Sequence, residues 1–208
     1  TDVLAAEARV QQAEALARIG SMAAHLAHEI RNPLAAISAT LQVIVASLPA
    51  EDRRRSILGK VQVQIRRLDR LVTDLLGYSR PAQPSLRVAN LLGLANQAVS
   101  ESGVAATVDV HEDAPVLVDV GHVCQVLVNL LQNARDAVEG EGTITVHVGP
   151  GPFIDVVDDG PGIAPDIAQR LFEPFVTSKT RGTGLGLAIS RKLIAAMDGS
   201  IELMPVDL

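Results

Sequence analysis

Ile30, Leu34, Ile37, Leu41, Ile44 and Leu48 recur at intervals of 4-3-4-3-4, the spacing of an apolar seam along one side of a coiled-coil or bundle helix. Residues 1 to about 48 read as one long helical pattern, opening on the alanine- and charge-rich TDVLAAEARVQQAEALARIG. After a break at LPAED (48–52), Leu58, Val61, Ile65, Leu68, Val72 and Leu75 repeat the pattern at 3-4-3-4-3. Two seams joined by a short turn make an α-helical hairpin. Two helices alone bury little area, so a dimeric four-helix bundle is the economical arrangement.

The pattern changes after SRPAQPS (79–85), whose two prolines end the helix and mark a linker. A short helix around Asn90–Ser100 then precedes the strand-like runs VAATVDV (104–110) and PVLVDV (115–120). A helix through Cys124–Val138 follows, then strands TITVHV (143–148) and FIDVVD (153–158), glycine-rich loops and a last helix at about Leu185–Met197. This order predicts an α/β two-layer sandwich with a mixed, mostly antiparallel sheet covered on one face. The expected division is 1–80 for the helical hairpin and 81–208 for the sandwich, and no internal repeat is evident.

Composition sharpens the picture. The chain is 48% hydrophobic but 2% aromatic, with no tryptophan, so its core is built from Leu, Val, Ile and Ala. A net charge of -6 argues against nucleic-acid binding, and the cluster Arg53, Arg54, Arg55 reads as a solvated helix face. The single cysteine, Cys124, excludes an internal disulfide and fits a reducing, cytoplasmic compartment. Its apolar helix makes it a packed structural thiol. No run of 18 apolar residues occurs, so no membrane contact is expected within the chain. The chain opens on Thr1 and reads as a fragment, which leaves room upstream for a sensory or membrane-bound segment.

Candidate chemistry begins at HEIRNPL (28–34), which sets His28 beside Glu29 inside a helix that also contains Pro33. A proline there removes a backbone hydrogen bond and clashes with the preceding turn, at roughly 3 kcal/mol. At about 100° per residue, His28 lies nearly opposite the apolar seam, and Asn32, at i+4, shares its outer face. His25, His28 and Glu29 lack the His-Glu-x-x-His order of a metal helix. His111, His122 and His147 lie in or beside strand and loop segments without visible partners, and read as surface or satisfied histidines.

Three segments of the second half look like parts of a nucleotide site. QVLVNLLQNARDA (125–137) puts Asn129 and Asn133 one turn apart, and amide oxygens suit Mg²⁺. In DVVDDGPGI (155–163) a strand runs into a Gly-Pro-Gly turn, where an acid could accept a hydrogen bond from an adenine amino group. TRGTGLGLAIS (180–190) is a glycine-rich loop opening a helix, which offers bare N–H groups to phosphates. It is neither the dinucleotide fingerprint nor a Walker A loop.

With LFEPFVTSK (171–179) between the glycine segments, these motifs stand in the order of the sensor histidine kinases of two-component signalling, which the chain resembles over nearly its whole length. The resemblance implies a dimerisation and phosphoacceptor hairpin, then an ATP-binding domain of the superfamily shared with gyrase and the heat-shock ATPase chaperones. His28 would be phosphorylated by ATP, with Glu29 orienting or deprotonating its imidazole. Asn133 would coordinate Mg²⁺, with Asn129 beside the phosphates. Asp158 would bind the adenine amino group, and Gly160, Gly162 and Ile163 would shape the base pocket. Residues from about Ala164 to Arg181 would form a mobile lid anchored by Phe172 and Phe175, with Lys179 reaching phosphate. Gly182, Thr183, Gly184, Leu185, Gly186 and Leu187 would close around the triphosphate.

Hydrolysing members of that superfamily carry a glutamate one turn before the Mg²⁺ asparagine. Asn129 stands there and cannot act as a base, which favours transfer to a protein side chain. Glu29-Ile30-Arg31-Asn32 matches the family's acid-x-x-Thr/Asn pattern, which implies phosphatase action on the phosphorylated partner. That partner would be the receiver domain of a response regulator, phosphorylated on an aspartate. Two alternatives stand beside this reading: a degenerate scaffold or phosphatase, and an ATP-hydrolysing clamp. The opening Thr1-Asp2-Val3 resembles the exit of a PAS sensor domain. The family's closing strand pair is expected to be cut short at GSIELMPVDL.

Overall fold

The computed structural model describes residues 30–49, 51–149, 151–177, 179 and 182–204. The chain divides after Pro81 into two units. In the first, helix α1 (30–47) and helix α2 (Arg53–Ser79) form the hairpin. Asp52 caps α2 by accepting the Arg54 backbone N–H at 2.8 Å. The Arg54 guanidinium grips the same carboxylate (Nη2–Oδ2 2.6 Å), and these two hydrogen bonds hold the Asp52 carboxyl down at about 2. Arg55 Nη1 donates to the carbonyls of Val45 (2.9 Å) and Leu48 (2.8 Å) where α1 ends, and Val45 O also accepts the Leu48 N–H at 3.3 Å. The basic cluster is therefore not simply a solvated face. Two of its three guanidiniums build the turn.

Further along, Arg31 Nε donates to Asp69 Oδ1 at 3.3 Å and Nη2 to Thr73 Oγ1 at 2.9 Å, tying α1 to α2 one residue before Asn32. Only Ile65 and Leu76 of this unit are fully buried among the described residues. Seam positions Ile37, Ile44, Val61 and Leu68 stay more than two-fifths exposed. An apolar stripe this open is an unpartnered one.

The second unit carries strand β1 (Arg87–Asn90), helix α3 (Leu91–Ser102), strands β2 (Thr107–Val110) and β3 (Pro115–Val118), helix α4 (Val120–Ala137), strands β4 (Ile144–Val148) and β5 (Ile154–Asp158), the short helix α5 (Pro165–Ala168) and helix α6 (Gly186–Ala195). β1 and β3 pair antiparallel in a two-stranded ribbon, while β2, β4 and β5 form a sheet in that order, parallel then antiparallel. The mixed sheet thus comes in two pieces. β1 escapes the sequence pattern because it has four residues and only Ala89 is turned inward. No strand is found over residues 199–204.

Alternation along β4 fixes the layers. Ile144, Val146 and Val148 are buried and Thr145 and His147 are not. Those inward residues pack with Leu94, Ala95 and Ala98 of α3 and with Leu127, Leu131 and Ala134 of α4. Cys124 is 3% exposed in the same core, and burial pushes its thiol up, as expected of a structural cysteine. α4 therefore lies between α3, the sheet and α6 as the spine of the unit. Asp119 anchors its first turn by accepting the N–H groups of His122 (2.9 Å) and Ser85 (2.7 Å), and those bonds lower its carboxyl. His122 is accordingly a helical residue beside its cap.

Candidate active site

The outward edge of α4 collects the polar side chains that the sequence singles out. Asn129, Asn133 and Asp136 fall at i, i+4 and i+7, one helical stripe. Asn129 Nδ2 donates to Ser190 Oγ at 3.0 Å, and Ser190 is itself 2% exposed on α6. Gly186 makes that approach feasible: a Cβ there would stand 2.5 Å from Asn129 Oδ1. The first turn of α6 thus lies directly over Asn129. Its N-cap position, Leu185, has no side-chain oxygen to occupy the turn's N–H groups, although Thr183 Oγ1 accepts the N–H of Leu185 at 3.2 Å. Bare N–H groups at a helix start suit anionic phosphates.

Asn133 and Asp136 hold a cation already. Lys179 Nζ donates to Asn133 Oδ1 and to Asp136 Oδ2, both at 3.0 Å. Burial works to raise the Asp136 carboxyl, but the hydrogen bond and charge of Lys179, aided by Arg135, outweigh it and leave it below its ordinary value. Neither Asp136 nor Ser190 emerges from the motifs. Asp136 could have been found by its i+3 spacing from Asn133, whereas Ser190 reads as an ordinary helix residue until its burial is known.

Beside the C-terminal end of α4, past Asp136, β5 delivers Asp158. Its Oδ1 accepts the N–H of Gly160 at 3.0 Å and the rest of the carboxylate stays exposed. Gly160 cannot be larger, because a Cβ would meet Asp158 Oδ1 at 2.7 Å and the Ala137 backbone at 3.2 Å. The neighbouring Asp159 looks away, accepting the Thr143 N–H at 2.8 Å. Gly162 takes φ 75° in the turn that follows, and Ile163 is 44% exposed.

The segment from Ala164 onward contains α5 and then irregular chain. Arg191 of α6 lies over the Phe172 ring, 5.9 Å from its centroid. Phe175, expected as a second side-chain anchor, is instead 55% exposed. It binds through its backbone, donating its N–H to Gly184 O at 2.8 Å in a φ 66° conformation. Gly184 also has φ 66°, and a Cβ there would sit 2.5 Å from the Phe175 carbonyl carbon. Gly182 and Leu187 are half-buried within the same loop and first turn.

Of the helical-hairpin residues, Asn32 is exposed on α1, and His28 and Glu29 lie outside the described residues, as does His25. Among the described residues, no helix is long and apolar enough to cross a membrane.

The chain is similar to known proteins in sequence and in fold. Residues 18–84 match the family described as the His Kinase A (phospho-acceptor) domain. Residues 118–207 match the Histidine kinase-, DNA gyrase B-, and HSP90-like ATPase family. The sensory histidine kinase/phosphatase NtrB of Rhodobacter capsulatus is 35% identical over 88% of this chain and 58% of its own length. The chain spans about half the length of the curated relatives it matches. Among solved structures, full-length ShkA in complex with AMPPNP aligns with a TM-score of 0.69 at 29% identity, over 86% of this chain and 41% of that one. The histidine kinase ThkA in complex with the response regulator protein TrrA aligns at 0.62 and 27%, over 96% of this chain and 61% of that one. With a phosphoacceptor hairpin and an ATPase-type sandwich joined in this order, the chain belongs to the sensor histidine kinase family of two-component systems.

Proposed function

We propose that this chain is the kinase core of a two-component sensor: it binds ATP, phosphorylates its own His28, and passes the phosphoryl group to an aspartate of a response-regulator receiver domain. The observation that carries the reading is the stripe on α4, where Asn133 and Asp136 hold the Lys179 ammonium at 3.0 Å while Asn129 is bonded to Ser190 of α6. Oxygen donors that already coordinate an ammonium suit a hard divalent ion, so Asn133 fits as a Mg²⁺ ligand. Mg²⁺ held by Asn133 would offset the negative charge of the phosphates.

The residues then divide the work. Asp158 accepts a hydrogen bond from the adenine amino group, and Gly160, Gly162 and Ile163 border the base. Gly182, Thr183, Gly184, Leu185, Gly186 and Leu187 present backbone N–H groups to the triphosphate. Lys179 leaves Asn133 Oδ1 as the nucleotide enters and moves its charge to a phosphate oxygen. The imidazole of His28 attacks the γ-phosphorus in line, so that an N–P bond forms as the bond to the ADP oxygen breaks. Glu29 orients the ring and takes up its proton. In the second transfer the N–P bond breaks and an aspartate oxygen of the regulator accepts the phosphoryl group. Asn129 has no basic group to activate water and its amide is committed to Ser190, which supports transfer over hydrolysis.

In a separate phosphatase reaction, Asn32, exposed on α1, holds a water in line with the regulator's acyl phosphate; the water oxygen bonds phosphorus as the bond to the aspartate oxygen breaks, releasing inorganic phosphate. The naming of the NtrB relative as a kinase/phosphatase supports this. The open seams of the hairpin support a homodimer in which a second copy completes the four-helix bundle, and the ThkA–TrrA complex supports a regulator as partner.

Incubation with γ-labelled ATP and Mg²⁺ tests the reading. Acid-labile, alkali-stable label that disappears in His28→Ala is expected; ATP binding without label on His28 would overturn it.

A further inference from the structure

A second set of ligand groups lies on the open face of the sheet, away from α4. Asp109 of β2 and His147 of β4 are paired in register, and both point outward because Val108, Val146 and Val148 face the core. His111 stands two residues beyond Asp109, on the same face. Its N–H still donates to Val148 O at 2.9 Å, so the ladder continues past the end of β2. Three potential ligands are thus fixed by the backbone of two hydrogen-bonded strands.

Their separations are informative. His147 Nδ1 is 3.3 Å from Asp109 Oδ2, and His111 Nε2 is 3.6 Å from the same oxygen. One donor atom from each residue lies within 4.8 Å of the other two. The imidazoles stack with centroids 6.1 Å apart and planes 23° from parallel. Charge-assisted hydrogen bonds are shorter, at about 2.7–2.9 Å. Ligands about 2.0–2.1 Å from a tetrahedral ion stand about 3.3–3.4 Å from one another. His147 Nδ1 is sealed from solvent and makes no hydrogen bond. A buried imidazole nitrogen aimed at a carboxylate without bonding to it lacks a partner that an ion between the two would supply.

We propose that Asp109, His111 and His147 form a binding site for a divalent transition-metal ion of zinc type, separate from the nucleotide site. Two imidazoles and one carboxylate are a borderline-soft donor set, suited to Zn²⁺ and unlike the all-oxygen surroundings that Mg²⁺ prefers. Water or a side chain of a partner would complete the tetrahedron. Asp155, the cross-strand neighbour of His147 on β5, adds negative charge to the same face. Occupancy would cross-link β2 to β4 and stiffen the sheet from the side opposite α4.

The test is Zn²⁺ binding to the whole chain without nucleotide, measured by competition with a chromophoric chelator, and repeated with Co²⁺ for its visible absorption. We expect one ion per chain, a Co²⁺ spectrum of four-coordinate intensity, and affinity at least about tenfold weaker in His111→Ala and in His147→Gln. His122→Ala, which alters a histidine on α4, should bind as the parent does. His111 is exposed beyond the end of its strand, so its removal leaves the fold intact and any loss is a loss of ligand. No stoichiometric Zn²⁺, or equal affinity in His111→Ala and the parent, would overturn the proposal and leave the cluster as an ion pair between imidazoles and Asp109.

Discussion

The hairpin and the sandwich use the same aliphatic alphabet to opposite ends. Among the described residues, every fully buried apolar side chain except Ile65 and Leu76 belongs to the sandwich, running from Leu91 to Leu193. The hairpin instead leaves Ile57 62% exposed and Val43 70% exposed. One unit completes its own core and spends its polar residues on a site. The other leaves its apolar seam open, and the proposed second copy would cover it. A phosphoryl-transfer device needs both: a stable platform that binds nucleotide, and a separate surface that presents the acceptor and a docking face. The largest effects should therefore come from changes that silence one unit and spare the other.

His28→Ala should abolish autophosphorylation while ATP binding, measured by displacement of a fluorescent nucleotide, stays at the parent level. Asn133→Ala should give the converse: labelling down by about 100-fold or more through loss of the ligand that positions the phosphates, with dimerisation unchanged in sedimentation. If Asn133→Ala also dissolves the dimer, the division of labour is wrong. Asn32→Ala sharpens it within the hairpin, because phosphatase action on a phosphorylated regulator should disappear while His28 labelling persists. Parallel loss of both would sink the separate role.

Truncations should separate the units by their concentration dependence. Leu131→Ala, at a residue 1% exposed beneath α3 and the sheet, should cost about 2–5 kcal/mol and lower the melting temperature of the sandwich equally at all protein concentrations. Leu68→Ala, at a seam position 48% exposed, should act mainly by weakening dimerisation, so its effect should shrink as protein concentration rises. A concentration-independent loss for Leu68→Ala would mean that the hairpin is stable as a monomer.

These two modes of burial also decide what can be read from the chain. Long helices with a 3-4 repeat are written directly in Leu58, Val61, Ile65, Leu68 and their kin, and α4 is visible because its apolar face and paired asparagines coincide. β1 is not visible, for four mostly exposed residues carry no period. The glycine motifs are legible because glycine at positions 160, 184 and 186 stands where a Cβ would come within 2.7, 2.5 and 2.5 Å of a neighbouring atom. Partnerships across the fold are not legible. Ser190 with Asn129, Lys179 with Asp136, and His111 with His147 are pairs that sequence separates by 61, 43 and 36 positions. Only the packing of α6, the course of the chain after α5 and the parallel pairing of β2 with β4 bring them together.

Gly184→Ala probes one such close contact. At φ 66°, an L-residue costs roughly 1–2 kcal/mol, and the added methyl would press on the Phe175 backbone. The loop should lose its Phe175–Gly184 hydrogen bond and ATP affinity should fall by about tenfold, since 1.4 kcal/mol is a factor of ten. Chemical denaturation should change little, because the loop contributes few residues to the core. A collapse of global stability with unchanged ATP affinity would show that the loop serves the fold and not the site.

The smallest effect concerns the Lys179–Asp136 contact, whose partners are 36% and 46% exposed. Exposed ion pairs contribute about 0–1 kcal/mol, so Asp136→Asn should destabilise the nucleotide-free chain by no more than that at neutral pH. The sign with pH follows from the lowered Asp136 carboxyl. A group whose folded value lies below its unfolded one contributes stability above the unfolded value, about 3.9 for aspartate. That contribution fades as pH falls through the folded value. The difference in urea midpoint between parent and Asp136→Asn should thus be present at pH 7 and shrink as pH falls below the unfolded aspartate value of about 3.9. Saturating ATP should close it at pH 7 as well, because Lys179 then faces phosphate and no longer Asp136. A gap that persists with ATP bound would mean that the lysine never leaves Asp136, and that the cation held by α4 is a structural fixture of the sandwich.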